Sequence, residues 1–371
     1  MWKDCRDIIN SEMSRILCLI DSFGAGGAQR QMVGLAKSLI DAGYEVGVVC
    51  YHQENFYAES LESSGIPYVC LNDAIKPSKR IFAISRYIRK YRPDVVISYL
   101  DTPNICACIA KLFNNKFRLI VSERNTTQHT GLKEKIRFNL YRIADVVVPN
   151  AFSQEKYIVE HFPYLSNKVV TIPNFVDLAR FTPAQNRIRH SKPEVMVAAT
   201  IWPFKNTMGF IDAVASLKSK GYQFHVSWYG KDEANICYFN ECQHKINTLG
   251  LTEYLELREK TTKINECYQG ADYFCLPSFY EGTPNVIGEA MACGLPVACS
   301  DVCDNGRYVA EGENGVLFNP NDVTSMVNAF EKLFHIDDST YSVYSMASSE
   351  KAKKMLSMET FIASYLKLIN K

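Results

Sequence analysis

Short apolar runs alternate with longer amphipathic segments along nearly the whole chain, and this pattern constrains the fold more than any other feature. It is the mark of βαβ units and parallel sheets. Residues 15–21 (RILCLID) read as a buried strand, followed by the loop SFGAGGA. Next comes a helix with Met32, Leu35, Ala36, Leu39 and Ile40 on one face, stopped at Gly43. Further strands are expected at 45–51, 94–100, 118–122, 145–149 and 168–173. A polar stretch, 181–194 (FTPAQNRIRHSKPE), interrupts the pattern and reads as a linker. Alternation then restarts: strands at 195–199, 223–229, 254–257, 273–277 and 296–300, with helices from about 206 and 284. The expectation is an α/β chain of two similar units, 1–183 and 184–356. A last helix, 357–371, capped by Ser357 and carrying Phe361, Ile362, Tyr365, Leu366 and Ile369 as one stripe, packs back on the first.

A length of 371 residues suits two domains, and 47% hydrophobic with 22% charged residues excludes a disordered or collagen-like chain. The net charge is +1, so no overall field selects a polyanion, but residues 1–190 carry 25 basic and 18 acidic side chains against 16 and 22 in the remainder. No apolar run is long enough to span a bilayer, and the first fourteen residues (MWKDCRDIINSEMS) do not resemble a secretory signal. Thirteen cysteines without a CxxC pair read as reduced, buried thiols of a cytoplasmic protein. Seven scattered histidines and the absence of any D-x-D suggest no metal and no cofactor. Residues 76–92 (KPSKRIFAISRYIRKYR) interleave seven basic side chains with Ile81, Phe82, Ile84, Tyr87 and Ile88. They read either as a charged outer helix face or as a helix lying on an anionic membrane surface. No recognition motif points to nucleic acid.

Two stretches can carry chemistry. The loop holding Gly24, Gly26 and Gly27 lets a ligand approach backbone amides at a helix start. A dinucleotide fingerprint fails there, because Gln29 replaces its third glycine and Tyr51-His52-Gln53 offers no acid after the second strand. More informative is 278–301 (SFYEGTPNVIGEAMACGLPVACSD). Thr283 as cap and Pro284 at the first helical position open a helix whose amides at Asn285 and Val286 face outward, where the dipole favours a phosphate. Glu281 in the loop and Glu289 within the second turn would flank a bound diphosphate and reach hydroxyl groups on either side of it. In a parallel sheet such a loop lies where ligands bind.

Glu281, Glu289 and the surrounding EGTPNVIGEAMACGLPV resemble the donor-binding signature of family 4 retaining glycosyltransferases. These have the GT-B fold, two Rossmann-like domains with parallel sheets facing across a cleft. Gly26-Gly27 matches the family's first glycine loop, IPNFVDLARF around Asn174 and Asp177 is similar to its hinge-side stretch, and Lys205 in ATIWPFKN falls where the family has a diphosphate-contacting lysine. The resemblance implies an acceptor-binding first domain and a donor-binding second one. It implies retaining, metal-independent transfer of a hexose or N-acetylhexosamine from a UDP-linked or other nucleotide-diphosphate donor. Lys205 would neutralise the departing diphosphate, Glu281 would hold sugar hydroxyls and Glu289 the ribose. Thr200 stands where most members have an arginine, Phe175 replaces a glycine, and Arg124 in IVSERN replaces a histidine found near the reacting sugar. The SERN variant is similar to bacterial O-antigen and capsule transferases. Together with the basic first half and the 76–92 segment, this suggests peripheral attachment at the inner face of the cell membrane, where a polyprenyl-diphosphate-linked acceptor is found; Arg124 stands among the catalytic candidates. The alternative, a silent family member acting as a partner subunit, is motivated by Thr200 and Arg124.

Overall fold

The computed structural model describes residues 14–71, 76–127, 129–185, 187–231, 234 and 236–371. The chain divides into two compact units. One runs to Asn174 and includes Phe361–Lys371; the other is Phe175–Thr360. The division falls ahead of the polar stretch 181–194. Val176 and Phe181 are buried in the core of the second unit, which draws that stretch into it.

The first unit holds β1 (Arg15–Leu19), β2 (Glu45–Cys50), β3 (Tyr68–Cys70), β4 (Val95–Tyr99), β5 (Arg118–Glu123) and β6 (Val146–Pro149). Their order is β3-β2-β1-β4-β5-β6 and every pairing is parallel. The second holds β7 (Glu194–Ala198), β8 (His225–Lys231), β9 (Leu255–Glu259), β10 (Tyr273–Leu276), β11 (Val297–Ser300) and β12 (Gly315–Phe318). Its order, β12-β11-β10-β7-β8-β9, repeats the doubly wound topology. In each unit the direction of winding reverses beside the first strand, between β1 and β4 and between β7 and β10. Ligands of such sheets bind beyond the carboxyl ends of those strands.

Helices cover both faces, which is why the central strands are apolar throughout: β4 and β10 are buried at every position. β8 alternates half-buried and buried residues, His225, Ser227 and Tyr229 taking the more open face. The expected strand at 168–173 is not one. Its backbone makes scattered bonds to β6, from Val147 to the Lys168 carbonyl and from Val170 to the Val147 carbonyl, with a single bridge at Val169. Pro149 has no N–H to extend the ladder. The edge strands β3 and β12 are short and carried no readable alternation.

Residues Pro77–Tyr91 form a helix. Ile84 and Ile88 enter the core, Ile81, Tyr87 and Tyr91 pack against it, and Phe82 points outward at 74% exposure among exposed Arg86, Arg89 and Lys90. The final helix, Met358–Ile369, begins with the Thr360 N–H donating to Ser357 Oγ at 3.2 Å. Twelve described cysteines are all free thiols, most of them buried; burial pushes Cys18 up to about 12 and Cys106 to about 11. Among the described residues no helix is long and apolar enough to cross a membrane.

Candidate functional site

In the second unit the chain leaves β7, makes a tight turn at Pro203–Lys205, and passes through Asn206 in left-handed backbone (φ 59°, ψ 36°) into the helix Thr207–Ser219. The Asn206 amide anchors this turn by donating to the Pro320 carbonyl at 2.8 Å. The loop after β10 is tied to it: the Phe279 N–H donates to the Phe204 carbonyl at 2.9 Å, and the rings of Phe204 and Tyr280 stack at 5.2 Å. Two loops from adjacent strands at the switch point are thus held together, and they bring Lys205 against Glu281. Lys205 Nζ donates to Glu281 Oε1 at 2.5 Å, with the two side chains only 14% and 10% exposed. Shielding at this level strengthens the attraction well beyond that of a surface pair.

Thr200 sits in the same crossing loop. Its carbonyl accepts from the Trp202 N–H at 3.0 Å. The loop is pressed against the end of β8, where the Ala199 carbonyl takes the Trp228 indole N–H at 2.7 Å. Gly230 allows that approach. Its φ is 155°, and a Cβ there would lie 1.9 Å from the Ala199 oxygen.

The helix expected at Pro284 begins one residue later, at Asn285, and runs to Ala292. Pro284 itself is the cap residue, because its ψ of 87° lies outside the helical range. The Asn285 N–H bonds to the Thr283 carbonyl at 2.9 Å and the Ile287 N–H to the Pro284 carbonyl at 3.0 Å. The partial positive charge of the dipole remains at this end, with Val286 at its opening. Glu289, buried within the helix, accepts from the Tyr268 hydroxyl at 3.2 Å. Gly288 lets the helix lie close to Leu356 and Val176, which a Cβ would meet at 2.7 and 2.8 Å.

In the first unit Gly26 caps the helix Gly27–Asp41 in extended backbone, and its N–H bonds to the Gly24 carbonyl at 2.8 Å. The loop faces the chain's own acids. Ser22 Oγ donates to Glu54 at 2.9 Å, Gln29 donates to Asp21 at 3.0 Å, and the Glu54 carboxylate rests against Gly24.

At the carboxyl end of β5, two arginines meet different surroundings. Arg137, from the helix Leu132–Leu140, is neutralised by Asp101 and by Glu123, whose Oε2 lies 3.4 Å away. Glu123 is fully buried and accepts from the Tyr141 hydroxyl. Burial raises its carboxyl to about 7, against the opposing pull of Arg137. Arg124 lies over the Tyr99 ring, its guanidinium carbon 3.8 Å from the centroid. It donates from Nη1 to Asn174 Oδ1 at 2.6 Å and from Nη2 to the Tyr365 hydroxyl at 2.8 Å. Between Tyr99 and Asp101, Leu100 has φ 77° and ψ 158°, a conformation costing on the order of 1–3 kcal/mol for a side-chain-bearing residue.

The fold therefore brings Lys205 to Glu281 and Arg124 to Asn174, two pairings that no spacing in the sequence dictates. It also adds Tyr268, Tyr99, Tyr365, Glu123 and Arg137, which the motifs do not name. Glu123 lay in plain view beside Arg124, whereas Tyr365 was disguised within an apolar stripe and Tyr268 carried no signal. Among the described residues no three His, Cys, Asp or Glu side chains gather to hold a metal ion.

Comparison with known proteins follows the same division. Residues 25–180 match the model of Glycosyltransferase Family 4 and residues 192–335 that of Glycosyl transferases group 1. A Campylobacter jejuni N-acetylgalactosamine-N,N'-diacetylbacillosaminyl-diphospho-undecaprenol 4-alpha-N-acetylgalactosaminyltransferase is 24% identical over 92% of this chain and 95% of its own length. The Escherichia coli UDP-Gal:alpha-D-GlcNAc-diphosphoundecaprenol alpha-1,3-galactosyltransferase is 21% identical over 86% and 87%. Among solved structures, a Rickettsia africae glycosyltransferase superposes with a TM-score of 0.86 at 16% identity over 97% of this chain and 98% of that one. Anabaena HepE in complex with UDP and glucose does so with 0.83 at 18% over 96% and 99%. With its matched halves and its repeated doubly wound sheets, the chain belongs to the family 4 glycosyltransferases of GT-B fold.

Proposed function

We propose that this protein is a retaining glycosyltransferase. It moves a hexose or N-acetylhexosamine from a UDP-linked donor to a polyprenyl-diphosphate-linked glycan in bacterial surface-polysaccharide synthesis, without a divalent metal. The observation that carries this reading is the shielded Lys205–Glu281 pair at the β7/β10 switch point, beside the opening of the helix Asn285–Ala292. As the sugar–phosphate bond breaks, positive charge grows on the sugar ring and negative charge on the diphosphate. A fixed ammonium and a helix dipole aimed at that diphosphate stabilise the transition state more than the ground state. Lys205 has three N–H groups and gives one to Glu281, which leaves it able to bind phosphate oxygens.

Glu281 then serves the sugar hydroxyls, and Glu289, steadied by Tyr268, the ribose. Thr200, Thr283, Pro284, Asn285 and Val286 are the further donor-binding candidates of the second unit; Gly26, Gly27 and Asn174 are those of the first, where Arg124 is the catalytic candidate. Thr200 brings no charge, so the cationic work in the second unit rests on Lys205 and the helix end. The second unit is read as the donor domain and the first as the acceptor domain. A lipid-linked acceptor is supported by relatives named for undecaprenol-diphosphate substrates. The exposed basic face of Pro77–Tyr91 with Phe82 suits the anionic inner face of the cell membrane.

The test is UDP release and product stereochemistry with UDP-N-acetylgalactosamine, UDP-galactose and UDP-glucose. An axial product from an axial donor, formed in the presence of a chelator, is expected. Inversion, or activity abolished by the chelator and restored by a divalent ion, contradicts the reading. Flotation with vesicles should favour anionic over zwitterionic lipid, and equal flotation removes the membrane contact.

A further inference from the structure

We propose that Tyr365, delivered by the last helix, and Tyr99, at the end of β4, are positioning residues that hold Arg124 as an uncompensated cation for a diphosphate oxygen. The inference rests on the reading of Arg124 as a working residue and adds what holds it and what it binds.

A guanidinium withdrawn from water is ordinarily paired with a carboxylate, as Arg137 is with Asp101 and Glu123. Arg124 is half-buried, and among the described residues no carboxylate pairs with it. Its partners are all neutral: the face of Tyr99, the Tyr365 hydroxyl and the Asn174 amide oxygen. Such surroundings fix a cation without cancelling it. They leave one N–H on each Nη beyond these two bonds, in a planar fork that suits two phosphate oxygens.

The holding is also rigid. Tyr99 and Tyr365 are fully buried, and their hydroxyls lie 2.9 Å apart. The Tyr99 ring therefore lies against Arg124 while the Tyr365 hydroxyl bonds to it, and each tyrosine steadies its neighbour. Burial pushes the Tyr99 hydroxyl well above its ordinary value, so it stays a neutral hydrogen-bonding group. A cation pre-set in this way needs no reorganisation when its anion arrives.

A diphosphate can come from the sugar nucleotide or from the lipid-linked acceptor, and the test separates them. Binding of UDP and of farnesyl diphosphate is measured calorimetrically on the whole protein and on Arg124→Ala, Tyr365→Phe and Tyr99→Phe. Donor hydrolysis is followed in parallel per folded molecule. Tyr365→Phe keeps the ring and removes one hydroxyl. It is expected to weaken one of the two ligands about tenfold and leave the other unchanged, the loss of one charge-assisted bond's worth of preorganisation. Weaker UDP assigns the clamp to the donor, and weaker farnesyl diphosphate assigns it to the acceptor. Tyr99→Phe gives the same pattern more mildly, and serves if Tyr365→Phe does not fold. If Arg124→Ala weakens a ligand while both folded tyrosine variants bind and turn over as the parent does, the positioning role is overturned. If Arg124→Ala itself changes neither ligand, the anion site falls with it. Failure of UDP to bind the parent protein at all would refute the donor reading of the second unit, while the farnesyl diphosphate arm still decides the clamp.

Discussion

Lys205 and Glu281 illustrate how one contact sets several expectations at once. Lys205→Ala removes the ammonium proposed to meet the leaving diphosphate and leaves Glu281 buried without its partner. Turnover is expected to fall about 10²–10³-fold, the scale typical for one preorganised charge stabiliser, with a smaller change in KM for the donor. Steady-state kinetics with UDP-N-acetylgalactosamine checks this, and an unchanged kcat contradicts it. Glu123 makes a different prediction. Its folded pKa of about 7 lies above the ordinary carboxylate value, so between pH about 4.5 and 7 the folded state holds a proton that the unfolded chain has released. The stability that Glu123 contributes is therefore present at low pH and lost as pH rises through about 7. Glu123→Gln, which can still accept from Tyr141, should flatten the denaturation midpoint against pH across that window. A slope identical to the parent's would show that Glu123 does not titrate there.

At the scale of elements, the strand–helix alternation and the Glu281–Glu289 block were legible because both are written locally. Buried parallel strands must be apolar on both faces, and a helix opening carries its turn residues next to its cap. What was not legible depends on tertiary contact. Val169 and Val170 have the composition of a strand, but Pro149 on the neighbouring edge denies them a ladder. Pro284 looked like the first residue of a helix, yet its backbone makes it the cap. Tyr268 reaches Glu289 from another helix across 21 residues, a pairing no motif could announce. Gly230 belongs to the same class, since its need for glycine arises from Ala199, just past the end of the adjacent strand. Gly230→Ala meets both an unfavourable φ and a backbone oxygen, and should cost about 2–5 kcal/mol. Gly43→Ala, with positive φ (88°) but open space around its Cβ position, should cost about 1–2 kcal/mol. Urea denaturation of the two variants gives the comparison, and equal costs would contradict the close approach at Ala199.

On the scale of the whole molecule, Phe361–Lys371 belong to the same unit as the described residues from 14 to 174. Phe361, Tyr365, Leu368 and Ile369 are buried, and each such side chain contributes roughly 1.5–3 kcal/mol when withdrawn from water. Deleting 361–371 should lower the thermal midpoint sharply and uncover the Tyr99–Arg124 cluster, whereas an unchanged melting curve would contradict the assignment of these residues to the first unit's core. The account as a whole stands on where a sugar nucleotide's diphosphate comes to rest. A crystal soaked with UDP-N-acetylgalactosamine settles this most directly. It is expected to place the diphosphate at the opening of Asn285–Ala292 within hydrogen-bonding reach of Lys205 Nζ. A diphosphate seated at the Gly26–Gly27 loop, or anywhere away from Lys205, would contradict the proposed donor site.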